Sequence, residues 1–152
     1  MATPWSPMTF YSESQFRTPL ESELFAQAVA DATEAQKLAS EFIGLNRYEE
    51  AERLHLRALE VKLRIGCPEA SLAISYNSMG AMYTRMGRLD EAKEYLQKAL
   101  HIREGNSECG KELSSAFTRM YLAKVLEMQG DLRGAKDLRK MAPPRKMLLS
   151  WA

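Results

Sequence analysis

Three segments of this chain share one pattern of small and large residues, and they align without gaps. In each segment an alanine holds the same position, Ala51, Ala92 or Ala135, and the spacings are 41 and 43 residues. A fixed period of this length indicates stacked copies of one supersecondary unit, each of which buries its apolar face against the next. The segments are LNRYEEAERLHLRAL (45–59), MGRLDEAKEYLQKAL (86–100) and QGDLRGAKDLRKMA (129–142).

Each copy also predicts two helices that meet at a corner. A large residue followed by a small one precedes each segment, and the middle copy has Met79 and then Gly80 there. Because Gly80 lacks a side chain, we expect it to let two paired helices approach closely. Gly87 follows seven residues later, where a helix end favours a residue that adopts a positive φ. The equivalent positions in the other copies are Leu38-Ala39 and Leu122-Ala123, with Asn46 and Gly130 at the corner.

This pattern resembles the tetratricopeptide repeat over about residues 30–142. A large residue, a small one, an aromatic, a corner glycine and two alanine positions recur in the helix–turn–helix unit of that family. The resemblance implies an all-α fold, an α-solenoid of three such repeats wound into a right-handed superhelix. The period exceeds the usual length of about 34 residues, and the extra residues lie in GCPEASLA (66–73) and GNSECGKELSSA (105–116). Longer helices with such loops are similar to the kinesin-light-chain branch of the family.

The helical runs and their breaks divide the chain into an arm, a helical domain and a tail. Residues 1–17 mix prolines with scattered aromatics and predict an extended or disordered arm, or a strap that lies on the domain. The repeats occupy 18–142 and open at TPLE (18–21), which has the pattern of a capping box. An apolar tail, 143–152, follows the two prolines that end the last helix. Six helices and no sheet are predicted, at about 18–45, 48–65, 70–86, 89–104, 110–129 and 132–141.

Composition and charge exclude several classes of function. Lys plus Arg number 21 against 20 Asp plus Glu, a net charge of +1, which provides no basic face for nucleic acid. No run approaches the length of a transmembrane helix, so no membrane association is expected. The N-terminus lacks the basic and apolar regions of a secretory signal, and two cysteines favour free thiols over a disulfide framework. A cytoplasmic protein is therefore expected.

No constellation of residues predicts catalysis, a metal site or a cofactor. His55 falls at the position that Leu96 holds in the next repeat, so we interpret it as a packing residue. Cys67 and Cys109 lie in matching loops and are expected to be ordinary thiols. The carboxylates cluster near helix N-termini, where the helix dipole favours them. The chain is therefore predicted not to be an enzyme.

By the resemblance, the first helices of the repeats line a concave groove that binds peptides. Asn77 is the leading candidate, because its amide can both donate and accept hydrogen bonds with an extended peptide backbone. The alternative is that Asn77 bonds to a neighbouring helix. Of the positions that form the chaperone-binding clamp in the family, only Lys124 is basic here, so no chaperone C-terminus is expected to bind. Arg85 and Lys124 would favour acidic ligands. The groove residues implied are Gln36, Ser40, Ile74, Asn77, Thr84, Arg85, Phe117, Met120 and Lys124.

The tail is a candidate for self-docking. Its apolar side chains are costly to leave exposed together. They would cap the open end of the solenoid, occupy the groove of the same chain, or exchange between copies and make a homodimer. A homodimer through the solenoid ends is a further alternative. The residues concerned are Met147, Leu148, Leu149 and Trp151.

Together these patterns predict a non-enzymatic adaptor that binds a peptide or a helix of a partner protein. Two alternatives stay open. One is a small-molecule binding or accessory protein that uses the same concavity, and the other is a self-assembling structural protein. A closed pocket roofed by the arm would favour the small-molecule function, and an open groove would favour the adaptor. The aromatic residues that could form such a lid are Trp5, Phe10, Tyr11 and Phe16.

Overall fold

The computed structural model describes residues 18–105 and 111–141, with side chains described at 18–105 and 115–141. These residues form six α-helices and no strand, and each predicted helix is confirmed with both ends within one residue. The arm and the tail lie outside the described residues. The helices are α1 (Pro19–Gly44), α2 (Tyr48–Arg64), α3 (Glu69–Met86), α4 (Leu89–Gly105), α5 (Lys111–Met128) and α6 (Leu132–Lys140).

The first helix begins at the predicted capping box. Thr18 is extended, and its hydroxyl accepts a hydrogen bond from the backbone N–H of Glu21 at 3.2 Å. The Glu21 carboxylate accepts in return from the backbone N–H of Thr18 at 3.0 Å. Pro19 takes the first helical position, where its missing N–H costs nothing. These local bonds fix the start of α1.

The chain contains two compact units, Met1–Ser75 and Tyr76–Ala152, and α3 runs through the boundary. In the first unit α1 packs against α2 along alanines that are almost completely buried, Ala32, Ala39, Ala51 and Ala58. Small side chains at these positions let the two helix backbones approach closely.

The second unit packs α4 against α5 and α5 against α6. Ala123, Leu126 and Ala135 form a buried cluster there, with Leu138 packed against it. Gly80 of α3 faces Leu96 of α4, and a Cβ at Gly80 would lie 2.5 Å from Leu96 Cγ. The prediction that Gly80 permits a close helix approach is therefore confirmed.

The corner between the two helices of each repeat has the same backbone conformation three times. Asn46, Gly87 and Gly130 have φ values of 59°, 76° and 88°. The left-handed conformation predicted for Gly87 is confirmed, and it ends the first helix of each repeat where the chain must turn.

We expect Gly87→Ala to lower the free energy of unfolding by about 1 kcal/mol, because an L residue is strained at positive φ. A Cβ at Gly87 would meet no atom within 4 Å, so the cost is conformational and not steric. Urea unfolding measures it. Gly105→Ala is the control, since that position has neither a positive φ nor a neighbour within 4 Å. Equal stability of the two variants would contradict the prediction.

Within the described ranges, no helix is long and apolar enough to cross a membrane.

Candidate functional site

The first unit joins its three helices through one polar cluster. Gln36 of α1 donates from Nε2 to Ser75 Oγ on α3 at 2.8 Å and accepts at Oε1 from Lys62 Nζ on α2 at 2.6 Å. Lys62 also donates to Ser75 Oγ at 3.0 Å and to the Ser71 carbonyl at 3.5 Å. The amide of Gln36 is therefore engaged at both ends.

Lys62 is a buried ammonium whose three hydrogen-bond partners are all neutral. Burial lowers the pKa of Lys62 below its usual range, while the nearby Cys67 raises it. Burial likewise raises the pKa of the Cys67 thiol, and Lys62 lowers it. When protonated, Lys62 places a positive charge within hydrogen-bond distance of Gln36 and Ser75, and none of its partners neutralises that charge.

The second unit repeats this cluster with related side chains. Thr118 on α5 donates from Oγ1 to Asn77 Oδ1 on α3 at 3.0 Å. The same hydroxyl accepts a hydrogen bond from the guanidinium of Arg103 on α4. An amide, a cation and a hydroxyl are thus grouped in each unit. The equivalent residues in the first unit, at spacings of 41, 41 and 43, are Gln36, Lys62 and Ser75.

The two amides differ in what they offer to a ligand. Asn77 engages its oxygen, so it does bond to a neighbouring helix, the alternative that the sequence leaves open. Its nitrogen donates no hydrogen bond to any part of the chain that the structure describes. Because the bond from Thr118 fixes the amide orientation, Asn77 keeps two N–H donors for an acceptor outside the chain.

Exposed apolar side chains accompany both clusters. Ile74 is exposed on α3 in the first unit. Phe117 and Met120, also exposed, lie about one turn apart on α5 in the second unit and flank Thr118. Ile74 and Phe117 occupy equivalent positions, 43 residues apart. Large exposed apolar side chains that recur beside a polar cluster are typical of a surface that contacts other molecules.

The remaining predicted groove residues divide into exposed and buried ones. Ser40, Arg85 and Lys124 are exposed. Thr84 is only 8% exposed, and its hydroxyl donates to the Gly80 carbonyl at 2.7 Å. Thr84 therefore packs within its own helix and does not offer its hydroxyl to a ligand.

The sequence predicts the two amides as ligand contacts but not the cations and hydroxyls that hold them. The missing residues are Lys62, Arg103, Ser75 and Thr118. The sequence shows that these residues recur, the cations at 41 residues like the amides and the hydroxyls at 43, but it does not show that they contact the amides.

No group of three His, Cys, Asp or Glu among the described residues could hold a metal ion. His55 is 2% exposed, and neither ring nitrogen has a hydrogen-bond partner in the described part of the chain. Burial, helped by the charge of Lys62, lowers the pKa of His55 to about 4. His55 is therefore a neutral packing residue at pH 7, in line with the interpretation from sequence.

Comparison with known proteins points to one family. A family model described as tetratricopeptide repeat matches residues 35–105 and 71–142. The crystal structure of BtubC (BKLC) from P. vanneervenii is similar at a TM-score of 0.72 and 27% sequence identity. The match covers 88% of this chain and 55% of that one. No curated protein matches the sequence. The resemblance to the repeat and to its kinesin-light-chain-like branch is confirmed.

Proposed function

Since the chain belongs to the tetratricopeptide repeat family, whose repeats generally mediate protein–protein interaction, we propose that it is a non-enzymatic adaptor for an extended, acidic segment of a partner protein. The observation that carries this proposal is Asn77. Its oxygen is held by Thr118, and its two N–H donors have no partner in the described chain. A peptide carbonyl or a carboxylate is the acceptor that such donors fit.

Apolar and cationic side chains of the same unit supply the rest of the recognition. Phe117 and Met120 offer exposed apolar surface to one or two large side chains of the ligand, and methionine adapts to their shape. Arg85 and Lys124 are exposed cations that attract acidic residues. A ligand with acidic residues around one or two apolar anchors therefore matches this unit best.

The first unit supports a separate set of contacts of the same kind. Ile74 is exposed there as an apolar anchor, and Ser40 is exposed although its hydroxyl donates to the Gln36 carbonyl of its own helix at 3.1 Å. Gln36 is engaged at both ends by Ser75 and Lys62, so it contributes less than Asn77. The positive charge of Lys62 again favours an acidic ligand.

Small-molecule binding has less support. The first unit has a cavity lined by residues of α1 and α2, but Gln36, Ser40 and Ile74 are not among them. This cavity therefore does not coincide with the predicted groove residues.

A random dodecapeptide library displayed on phage tests the proposal. We expect the full chain to enrich acidic sequences that contain a large apolar residue. Asn77→Ala should weaken the binding of the best synthetic peptide at least tenfold, because two hydrogen-bond donors are lost. A tenfold loss of affinity corresponds to about 1.4 kcal/mol. Fluorescence anisotropy gives the dissociation constants.

The matched control is Gln97→Ala, which removes an exposed amide from α4, a second helix of the repeat. It should change the affinity less than twofold. Enrichment of basic sequences, or equal affinity of the Asn77 and Gln97 variants, would contradict the proposal.

A further inference from the structure

One side of α5 is largely apolar although it is exposed. Four large apolar side chains on it are each 41% to 50% exposed, and the exposed Lys124 lies among them. These residues share one side of the helix, because they follow the first of them at spacings of 3, 4, 7 and 11 residues. We call this surface the α5 face, and it consists of Phe117, Met120, Tyr121, Lys124 and Met128.

The repeat does not require large apolar residues on this side of the helix. In the second repeat, 43 residues earlier, Ser78 stands at the position of Tyr121 and Arg85 at the position of Met128. The opposite side of α5 provides the buried contacts, and Val125 is completely buried there. Apolar side chains that the fold neither buries nor requires are typical of a contact surface. Tyr121 and Met128 therefore extend the proposed ligand contacts along α5.

Lys124 places one positive charge within the α5 face. Three residues further on, the Glu127 carboxylate accepts a hydrogen bond from the Arg139 guanidinium at 2.7 Å, so it is already paired. Lys124 has no hydrogen bond or ion pair with any residue that the structure describes. A ligand that covers the apolar side chains must therefore bring an acidic group to Lys124, because an ammonium that is covered without a partner is costly.

The spacing along α5 sets the order of the contacts. Phe117, Met120 and Tyr121 lie within about one turn, and we call them the apolar cluster. Because a helix rises about 1.5 Å per residue, Lys124 lies about 7 Å beyond the middle of this cluster and Met128 about 13 Å beyond it. In an extended peptide every second side chain points the same way, and two and four residues span about 6.6 Å and about 13 Å. The two sets of spacings agree.

We propose that the α5 face binds an extended segment with the order apolar, any, acidic, any, apolar. The first apolar side chain lies on the apolar cluster, the acidic one pairs with Lys124, and the second apolar one lies on Met128. This inference rests on the proposed adaptor function. It adds to that function the spacing of the ligand side chains and two further contact residues, Tyr121 and Met128.

Asn77 favours an extended ligand over a helical one. A helix would also match the α5 face, with the same three side chains at every fourth residue. Asn77 Oδ1 lies 3.0 Å from Thr118 Oγ1, so Asn77 is level with the apolar cluster along α5. An extended segment has free backbone carbonyls for the two N–H donors of Asn77. The carbonyls of a helix are engaged by its own N–H groups.

Fluorescence anisotropy with three short synthetic peptides tests the inference on the full chain. Each peptide has the same length and contains one phenylalanine, one glutamate and one leucine, in that order, in a serine–glycine background. The three residues stand at every second position, at adjacent positions or at every fourth position. We expect the first peptide to bind at least about fivefold more tightly than the other two, because only its side chains reach all three contacts.

A charge exchange tests the assignment of Met128. Met128→Arg, which introduces the arginine of the second repeat, should weaken binding of the first peptide at least about fivefold. Replacement of the leucine in that peptide by glutamate should restore binding to Met128→Arg and weaken binding to the parent. Leu132→Arg is the matched control, because it adds the same charge at an exposed apolar position of α6. It should bind the first peptide as the parent does.

The proposed function and this inference fail in different ways. If the best library peptide binds independently of Asn77 or not at all, the proposed function is overturned and the inference with it. If that peptide binds through Asn77 but the three spacing peptides bind equally or not at all, only the inference is overturned. Tightest binding of the peptide with every fourth position would show a helical ligand instead.

Two further results would overturn the inference. Equal affinity of the parent and Met128→Arg for the first peptide would show that Met128 is not a contact. A mass by light scattering that rises with protein concentration in the parent, but not in Met128→Arg, would show that a second copy of the chain occupies the α5 face.

Discussion

Gly80→Ala is expected to lower the free energy of unfolding by about 2 kcal/mol, although alanine is the better helix former. The new Cβ would lie 2.5 Å from Leu96 Cγ and 2.8 Å from Leu96 Cδ2. It would also lie 3.3 Å from the carbonyl oxygen of Ala92, which belongs to the backbone. Leu96 is completely buried, so its side chain has no free space to enter. Helices α3 and α4 must then move apart.

Urea unfolding of the full chain measures this loss. Gly44→Ala is the matched control, because Gly44 is also a helical glycine and its Cβ would meet nothing within 4 Å. The control should keep the stability of the parent or exceed it slightly. The double variant Gly80→Ala, Leu96→Ala should lose less free energy of unfolding than the two single variants lose in sum, because the smaller side chain of alanine at position 96 removes the clash. Parental stability of Gly80→Ala would show that the close approach is not required.

The pH dependence of stability should contain a contribution from His55. As the pH drops from 6.5 to 4, His55 alone should lower the free energy of unfolding by up to about 3 kcal/mol. The pKa of His55 is about 4 in the folded chain, against 6.5 for an ordinary histidine. Between these values the unfolded chain binds a proton that the folded chain does not. The contribution is therefore complete above pH 6.5 and is lost as the pH falls through 4.

His55→Leu should remove this loss and raise stability at pH 5. Leucine is the residue that the next repeat has at this position, and Leu96 is completely buried there. The change also removes two ring nitrogens that lack hydrogen-bond partners in the described chain. Urea unfolding at pH 5 and pH 7 gives the difference between variant and parent, which cancels the other titrating groups. His101→Gln, at an exposed position, is the control and should behave as the parent. An unchanged pH difference in His55→Leu would contradict the assignment.

The helices and corners could be predicted because their signals are local. Thr18 and Glu21 form a capping box within four residues, and a corner glycine needs only a positive φ. Gly80 was predictable from its equivalence with Ala39, since a repeated small residue implies a repeated close contact. For the cap and the corners the information lies within a short segment, and for Gly80 it lies in the comparison of two repeats.

The polar clusters could not be predicted in the same way, because they depend on contacts between distant residues. Gln36 bonds to Ser75 across 39 residues, and Asn77 bonds to Thr118 across 41. The repeat spacing identifies which residues are equivalent but not which of them touch. Thr84, a predicted groove residue, is a related case, because its hydroxyl donates to the Gly80 carbonyl of its own helix.

An apolar groove between α1 and α2 in the first unit, lined in part by Ala35, Leu38 and Leu54, illustrates a third limit. Ala35 fits the helical pattern as well as Tyr76 does at the equivalent position, so the sequence gives no sign of a groove there. It becomes visible only when the exposed Leu38 is compared with Met79, which is buried at the equivalent position of the next repeat. A small residue in the sequence predicts a close contact between helices, so a groove next to such a residue becomes visible only in the structure.

The proposed adaptor function depends above all on hydrogen bonds that Asn77 donates to an acidic peptide. Titration of the ¹⁵N-labelled full chain with the best library peptide, followed by NMR, tests it most directly. The side-chain amide signal of Asn77, assigned by its loss in Asn77→Ala, should shift together with the backbone signals of α3 and α5 around Phe117. The side-chain amide of Gln97 should stay in place. Shifts confined to α2 and α4, with the Asn77 amide unmoved, would contradict the claim.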